Sequence, residues 1–375
     1  MSGRLLRLVC TGAVAVGALL PSTPAPAAPG PDGDRRSAAS LLTDLQRLYR
    51  DAERATERYN GTAERLRKQR AVVAGLDARL ARTRLSLEDS RTAAGRLARQ
   101  QYQSGDEISA YVRLLLARDP QHALDQGHLI RQLSLERAGT VRRVAGREKR
   151  AGELARAARK ALDGQLSLAA RQKKERDEVR ERLDDVQRLL ASLTAEQLAE
   201  LDRAEEAGTA AAQKKIMASG ALSSVRPPTR EGEDALRYAV GQLGKPYRWG
   251  AQGPKAYDCS GLTSRAWERA GRPIPRTSQE QWAELPRIPL DELRPGDLVV
   301  YFPEATHVAM YLGDGMVVQA PRPGARIKVS PIAANPLLGA VRPDPGGKPL
   351  RHYTPPELPE DATAGSDEGY AAAAG

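Results

Sequence analysis

Aromatic residues are scarce in this 375-residue chain, at 4% of the total with one phenylalanine and three tryptophans, so rings cannot fill a core along its whole length. Their placement is uneven. Trp249, Trp267, Trp282 and Phe302 all lie between residues 231 and 345, and only that stretch has the makings of a mixed, compact core. Proline is nearly missing from the first half: residues 38–217 hold only Pro120 and are dominated by Ala, Leu, Arg, Glu and Gln. A chain of this length, so divided, is expected to contain at least two regions with different roles.

Long apolar runs are also lacking. The one apolar segment, residues 8–20, follows Arg4 and Arg7, leads into Ala25-Pro26-Ala27, and at 13 residues is too short to span a membrane. A basic start, a short apolar centre and a small-x-small end predict a secretory signal peptide over residues 1–28, and hence export to the cell wall or beyond it. Cys10 sits inside that apolar run, too early for a lipid-attachment cysteine, and is expected to leave with the signal. Cys259 then stands as the only cysteine, which excludes an intramolecular disulfide and leaves a free thiol or an intermolecular partner. The formal charge of +11 and pI near 9.8 would suit nucleic acid inside a cell. For an exported protein, no nucleic acid is expected and the charge reads as affinity for anionic wall polymers and lipid headgroups, or simply as a solvated helix surface rich in arginine.

Residues 38–217 carry apolar positions three and four apart: Leu45, Leu48, Ala52, Ala55, Tyr59, Leu66, Val73, Leu76, Leu80 and Leu87, then Val179, Leu183, Val186, Leu190 and Leu193. That spacing is the coiled-coil seam. Helix breakers between the two series, Ser104-Gly105-Asp106, Asp119-Pro120 and Gly127, predict two long antiparallel helices joined by a shorter helical cap, over residues 36–217. Glycines within the pattern, among them Gly61, Gly75, Gly95 and Gly139, predict a coil that is flexible or stabilised by a partner. The apolar segment 111–116 either packs on the hairpin tip or docks a partner, for which a membrane or divisome protein is the expected class. Residues 218–230 read as a linker, 231–345 as a compact domain and 346–375 as a disordered tail.

Within the compact domain the pattern runs helix over 234–243, a loop with Tyr247, a helix beginning near Cys259, and strands over 298–302, 307–312, 316–319, 327–329 and 338–341. Helices followed by antiparallel strands define an α+β domain. Cys259 falls where an amphipathic helix begins, a location that favours thiolate. A thiolate nucleophile needs a base. The four histidines are His122 and His128 in the hairpin cap, His352 in the proline-rich tail, and His307 at the start of a strand in the domain that holds Cys259. His307 is therefore the candidate base. Gln319, at the end of the next strand, can return across the Gly313-Asp314-Gly315 turn to orient the ring. Cysteine, histidine and amide in this order repeat papain-like logic. Taken singly, each residue also has a plain structural role open to it: a buried thiol, a strand-end histidine, a surface amide.

Five ordered blocks, Gly244-Lys-Pro-Tyr-Arg-Trp-Gly250, Tyr257-Asp-Cys-Ser-Gly-Leu262, Ile274-Pro-Arg-Thr-Ser-Gln279, Leu293-Arg-Pro-Gly-Asp-Leu298 and His307-Val-Ala-Met-Tyr-Leu-Gly313, resemble the successive motifs of NlpC-type cell-wall cysteine peptidases. The resemblance covers residues 231–345 and implies a reduced papain-like fold, with Cys259 as nucleophile, His307 as base and Gln319 at the orienting position, where histidine is commonest. It also implies that Tyr247 lines the oxyanion side, that Asp258 and Ser260 contact substrate, that no metal or other cofactor is used, and that the bond cut lies beside γ-linked D-glutamate in peptidoglycan stem peptides. The alternatives from other classes are a wall-binding scaffold, and an amidase or acyl transferase acting on another wall bond. A coil joined by a flexible linker could hold such an enzyme off its substrate, or merely localise it.

Overall fold

The computed structural model describes residues 37–103, 112, 120–222 and 226–364. The expected signal peptide, the Ser104-Gly105-Asp106 break and, Val112 apart, the apolar segment 111–116 lie outside the described residues. From Ala38 onward the described chain is one compact unit.

Helix α1 (Ala38–Gln103) and helix α2 (Pro120–Ala191) have 66 and 72 residues and pack along one another. At 1.5 Å per residue each is about 100 Å long. The seam is the one that the apolar spacing anticipates: Leu41, Leu45, Leu66, Leu80 and Leu87 of α1 are buried, as are Val179, Val186 and Leu190 of α2. The expected end of the hairpin needs correction, because a third helix, α3 (Ala195–Ala218), follows and packs back on α1. Thr194 accepts the Gln197 N–H at 3.2 Å while the Gln197 side chain accepts the Thr194 N–H at 2.9 Å. This capping box starts a new helix where neither proline nor glycine marks a break. Leu201 of α3 closes the cluster formed by Leu45, Tyr49 and Val186.

The second half is α+β. Helices α4 (Arg230–Val240), α5 (Cys259–Arg269) and α6 (Ser278–Glu284) precede a sheet of β1 (Arg287–Ile288), β2 (Leu298–Tyr301), β3 (His307–Gly313), β4 (Met316–Gln319), β5 (Lys328–Pro331) and β6 (Leu337–Val341). All the pairings are antiparallel, in the order β1-β6-β2-β3-β4-β5. One face of the sheet packs Val300, Val308, Met310 and Val318 against Leu236 of α4 and Leu262 and Trp267 of α5. The other packs Val299, Tyr301, Tyr311 and Val317 with Ile332, and receives Ile216 from α3. Burial of a Leu, Val or Met side chain contributes about 1.5–3 kcal/mol, so this double-sided core, rather than the coil, fixes the domain.

The linker and tail are more ordered than their composition suggests. Thr229 is fully buried, caps α4 by accepting the Gly232 N–H at 2.9 Å, and hydrogen-bonds Asp344. The expected disorder from residue 346 is corrected for residues 346–364: the Leu350 N–H donates to Pro228 O, and the Val329 N–H on the free edge of β5 donates to Ala362 O, both at 2.8 Å. A segment poor in large apolar side chains is held here by backbone pairing, which composition does not reveal. Residues 365–375 lie outside the described residues.

Candidate active site

Asp258 and Cys259 are positioned by the start of α5. Asp258 is the N-cap: its Oδ1 accepts the Gly261 N–H at 2.6 Å, satisfying one of the orphan donors of the first turn. A side chain at position 261 would lie 2.2 Å from Ala251 O and 2.7 Å from Asp258 Oδ1, so the cap requires glycine there. The second oxygen of Asp258 accepts from the Gly250 N–H at 2.8 Å, from Arg276 Nη2 at 2.7 Å and from Asn60 Nδ2 at 3.1 Å. The carboxylate thereby ties the Tyr247 loop, the segment before α6 and helix α1 to the first residue of α5.

His307 opens β3 and Gln319 ends β4. The register Met310↔Val318, carried one residue on, sets Gln319 opposite Ala309 and diagonal to His307 on the same face. The turn between them uses left-handed backbone at Asp314 and Gly315, with φ of 50° and 70°. The result is a contact of 2.7 Å between His307 Nε2 and Gln319 Oε1. A carbonyl oxygen only accepts, so Nε2 carries the proton and Nδ1 holds the basic lone pair. Both residues are 1% exposed, and Tyr301 on β2 stacks beside the imidazole with ring centroids 5.6 Å apart. Tyr247 and Cys259 share the core cluster with Val308 of β3.

The structure departs from expectation at the thiol. Cys259 is buried, and its pKa is pushed well above the usual thiol value, first by burial, then by the negative charges of Glu57, Asp258 and Glu53, against a smaller lowering from the Ser260 backbone. A helix start therefore does not make Cys259 a thiolate in this arrangement: a desolvated sulfur among three carboxylates holds its proton. Tyr247 is raised likewise, by burial first and then by Cys259, Asp258, Glu53 and Glu57.

Two of those carboxylates come from α1, where only a coil seam was expected. Glu57 Oε1 accepts the Ser260 hydroxyl at 2.8 Å, and Oε2 accepts the Ser278 N–H at 2.9 Å. Its pKa is pushed up to about 7 by burial and by Asp258, against the opposing pull of Arg276. One turn earlier, Glu53 places Oε1 3.7 Å from His307 Nδ1, and burial raises it to about 8 in spite of Arg322. Arg276 completes the cluster: burial opposes its charge, but Asp258, Glu57 and Cys259 hold its pKa above the ordinary value. It donates to Ser260 Oγ at 2.8 Å as well as to Asp258. Thus Asp258 and Ser260, the expected substrate contacts, are fully buried and engaged by α1 and Arg276. Reasoning from sequence missed Glu53, Glu57, Asn60 and the role of Arg276. The signal for the first three was a polar stripe at i, i+4 and i+7, in step with a buried helix face.

Cysteine at a helix start, histidine on the first strand of a hairpin and an amide on the second make this an α+β domain of papain-like arrangement. Residues 244–338 match the NlpC/P60 family, and the C-terminal part of the chain is an NlpC/P60 domain. A probable endopeptidase of Corynebacterium glutamicum is 39% identical over 127 residues, which cover 34% of this chain and 60% of that protein. Peptidoglycan endopeptidase RipA of Mycolicibacterium smegmatis is 36% identical over 123 residues, covering 28% and 25% respectively. Among solved structures, the NlpC/p60 domain of the peptidoglycan hydrolase SagA is 31% identical, covering 30% of this chain and 97% of that one, with a TM-score of 0.28. The chain thus matches less than two thirds of the length of the curated relatives named here.

Proposed function

We propose that this protein is an exported thiol peptidase that hydrolyses stem-peptide bonds of peptidoglycan, between the γ-D-glutamyl residue and the diamino acid. The observation that carries the reading is the 2.7 Å contact of His307 Nε2 with Gln319 Oε1, which leaves Nδ1 as the basic nitrogen, 3.7 Å from Glu53, whose charge also acts on Cys259. Nδ1 takes the thiol proton, and the sulfur attacks the scissile carbonyl carbon. The electron pair of the carbonyl moves onto its oxygen, where the Tyr247 hydroxyl can donate. Collapse of the intermediate expels the amine, which takes the proton from His307 and leaves a thioester on Cys259. Water, deprotonated by the same Nδ1, then hydrolyses the thioester and restores the thiol. Gln319 holds the ring but adds no charge, so the imidazolium is stabilised less than it would be by a carboxylate.

The NlpC/P60 domain and the endopeptidase names of its relatives support the substrate class, and the sequence of residues 1–28 supports export. The direct test incubates the protein and its Cys259→Ala variant with purified sacculi and identifies the released fragments by mass spectrometry. New termini at the γ-D-glutamyl bond are expected from the former and none from the latter. Cleavage by Cys259→Ala above background removes Cys259 from the mechanism.

A further inference from the structure

Charge is unevenly divided along the chain. Residues 70–103 of α1 and 120–174 of α2 hold 20 of the 58 Lys and Arg but 8 of the 47 Asp and Glu, leaving 38 against 39 in the rest of the chain. The net positive charge therefore lies on one arm of the hairpin. α1 packs on the domain at Tyr59, whose ring meets Trp249 edge-on with centroids 5.0 Å apart, and the arm runs on from there. The domain ends of the same two helices, residues 38–64 and 175–191, carry eight basic side chains to eleven acidic. There Arg47, Arg58 and Arg188 pair with Asp44, Glu178 and Asp185. An arginine-rich composition alone would leave both ends alike. Along the arm, the ion pairs of these cations among the described residues are Arg91 with Glu148 at 2.9 Å and Arg171 with Glu175 at 2.7 Å. Charge is densest between two crossings of the hairpin, where Gln69 Nε2 donates to Ala161 O at 2.7 Å and Arg147 Nη1 donates to Ser86 O at 2.9 Å. Between them stand nine exposed Arg and Lys, among them Arg82, Arg84, Arg156 and Arg159, against the three acids Asp77, Glu148 and Glu153. Residues 70–85 span about 24 Å at 1.5 Å per residue, so one net positive charge falls about every 4 Å.

We propose that this arm binds a linear phosphodiester polymer, laid along the hairpin with its phosphates on the arginine side chains. Seven of the nine cations are arginine, whose planar fork takes two phosphate oxygens at once. Their net spacing is shorter than the roughly 8 Å over which physiological salt screens charge, so they repel one another until a polyanion neutralises them together and releases its counterions. A membrane surface fits less well. A helix lying on a bilayer needs an apolar face opposite its cations, and here Leu80 and Ala158 are buried in the seam. Val72 and Leu85 are exposed, but thirteen residues separate them and set them about 220° apart around α1. That leaves an electrostatic rod without an apolar band, the shape for a polymer that runs alongside it. Such a polymer would hold the domain beside its substrate, which adds a ligand to the peptidase reading without depending on it.

The test is binding of fluorescein-labelled poly(glycerol phosphate) to the full chain, followed by anisotropy between about 50 and 200 mM salt. Vesicles of phosphatidylcholine and phosphatidylglycerol are titrated in parallel. The arm variant carries Arg82→Gln, Arg84→Gln, Arg156→Gln and Arg159→Gln. The control removes the same charge from exposed positions elsewhere, by Arg180→Gln, Arg203→Gln, Lys214→Gln and Arg272→Gln. The arm variant is expected to bind the polymer at least about tenfold more weakly than the parent and to lower the slope of log K on log salt by about 2–4. The control should stay within about twofold of the parent. Lysine at the same four arm positions keeps the charge and should keep the slope, with helicity checked by circular dichroism. Equal losses in the arm and control variants would overturn the proposal, as would a lysine variant as weak as the glutamine one. Polymer binding absent at low salt, or vesicles bound more tightly than polymer through the same four arginines, would overturn it too. The assay reads no bond cleavage, so its failure and that of the peptidase reading are separate.

Discussion

Gln319 presents Oε1 to Nε2 of His307 at 2.7 Å, and this single contact decides which ring nitrogen is basic. Gln319→Ala frees the ring to rotate and take either tautomer. It is expected to lower kcat/KM by less than the roughly 10²–10⁴-fold that a general base contributes, while Cys259→Ala abolishes turnover. Gln319→Glu adds a negative charge beside the imidazole and raises its pKa, so the acid limb of the pH–rate profile moves to higher pH. Steady-state profiles of the three variants check this, and equal, total losses for Gln319→Ala and Cys259→Ala would make Gln319 indispensable instead.

Packing of α1 on the domain is expected to depend on pH through Glu53 and Glu57. With α1 packed their pKa values rise to about 8 and about 7, above the 4.5 of a free glutamate, so the packed form binds protons more tightly. Its stabilisation is complete below the free value and is lost as pH rises through 7 and 8. Arg50, Arg322 and His307 face Glu53, and Asp258 and Arg276 face Glu57; the two arginines nearest the pair soften the effect without reversing it. Rates of Cys259 alkylation by iodoacetamide should therefore climb more steeply between pH 6 and pH 9 than ionisation of one thiol allows. Glu53→Gln/Glu57→Gln should flatten the climb, and parallel profiles would dissociate the packing of α1 from these carboxylates.

Much of the domain was legible because its signals are local. The Cys259 helix start, the strand opened by His307 and the strand ending in Gln319 were each set by residues within one element, and the glycine turn joined the last two. The position of α1 was not legible for a physical reason. Polar residues at helical spacing read as a solvated face, and only a partner surface offering Ser260, Ser278 and Arg276 makes burial of Glu57 and Asn60 tolerable. The thiol was misjudged on the same account, since the helix-start effect on Cys259 is outweighed by desolvation and by carboxylates from a distant segment. The tail escaped notice because backbone pairing at Val329 and Pro228 leaves no trace in side-chain pattern.

Asp344 holds the far end of the domain together. Arg294 Nη2 donates to its Oδ1 at 2.8 Å and to its backbone oxygen at 2.9 Å, and Thr229 bonds the same carboxylate at the start of α4. Asp344→Ala strands a buried guanidinium, which costs about 3–5 kcal/mol. Urea unfolding followed by tryptophan fluorescence should show that loss, and a change under 1 kcal/mol would mean that water reaches Arg294.

Leu201 joins α3 to the hairpin and is fully buried. Leu201→Ala is expected to destabilise the helical region by about 2–5 kcal/mol. Hydrogen exchange should locate the loss in α3 and the adjoining part of α1. Uniform exchange across both regions would show instead that coil and domain unfold as one.

The edge-on meeting of Tyr59 and Trp249 gives the protein a built-in optical gauge. Trp267 is sealed in the domain core and Trp282 lies under the Arg287 guanidinium, and neither has a ring contact with α1 among the described residues. Trp249 alone among the three carries an aromatic partner from the coil, so its emission reports on the contact between coil and domain. Any loosening of that contact can thus be followed in unlabelled protein.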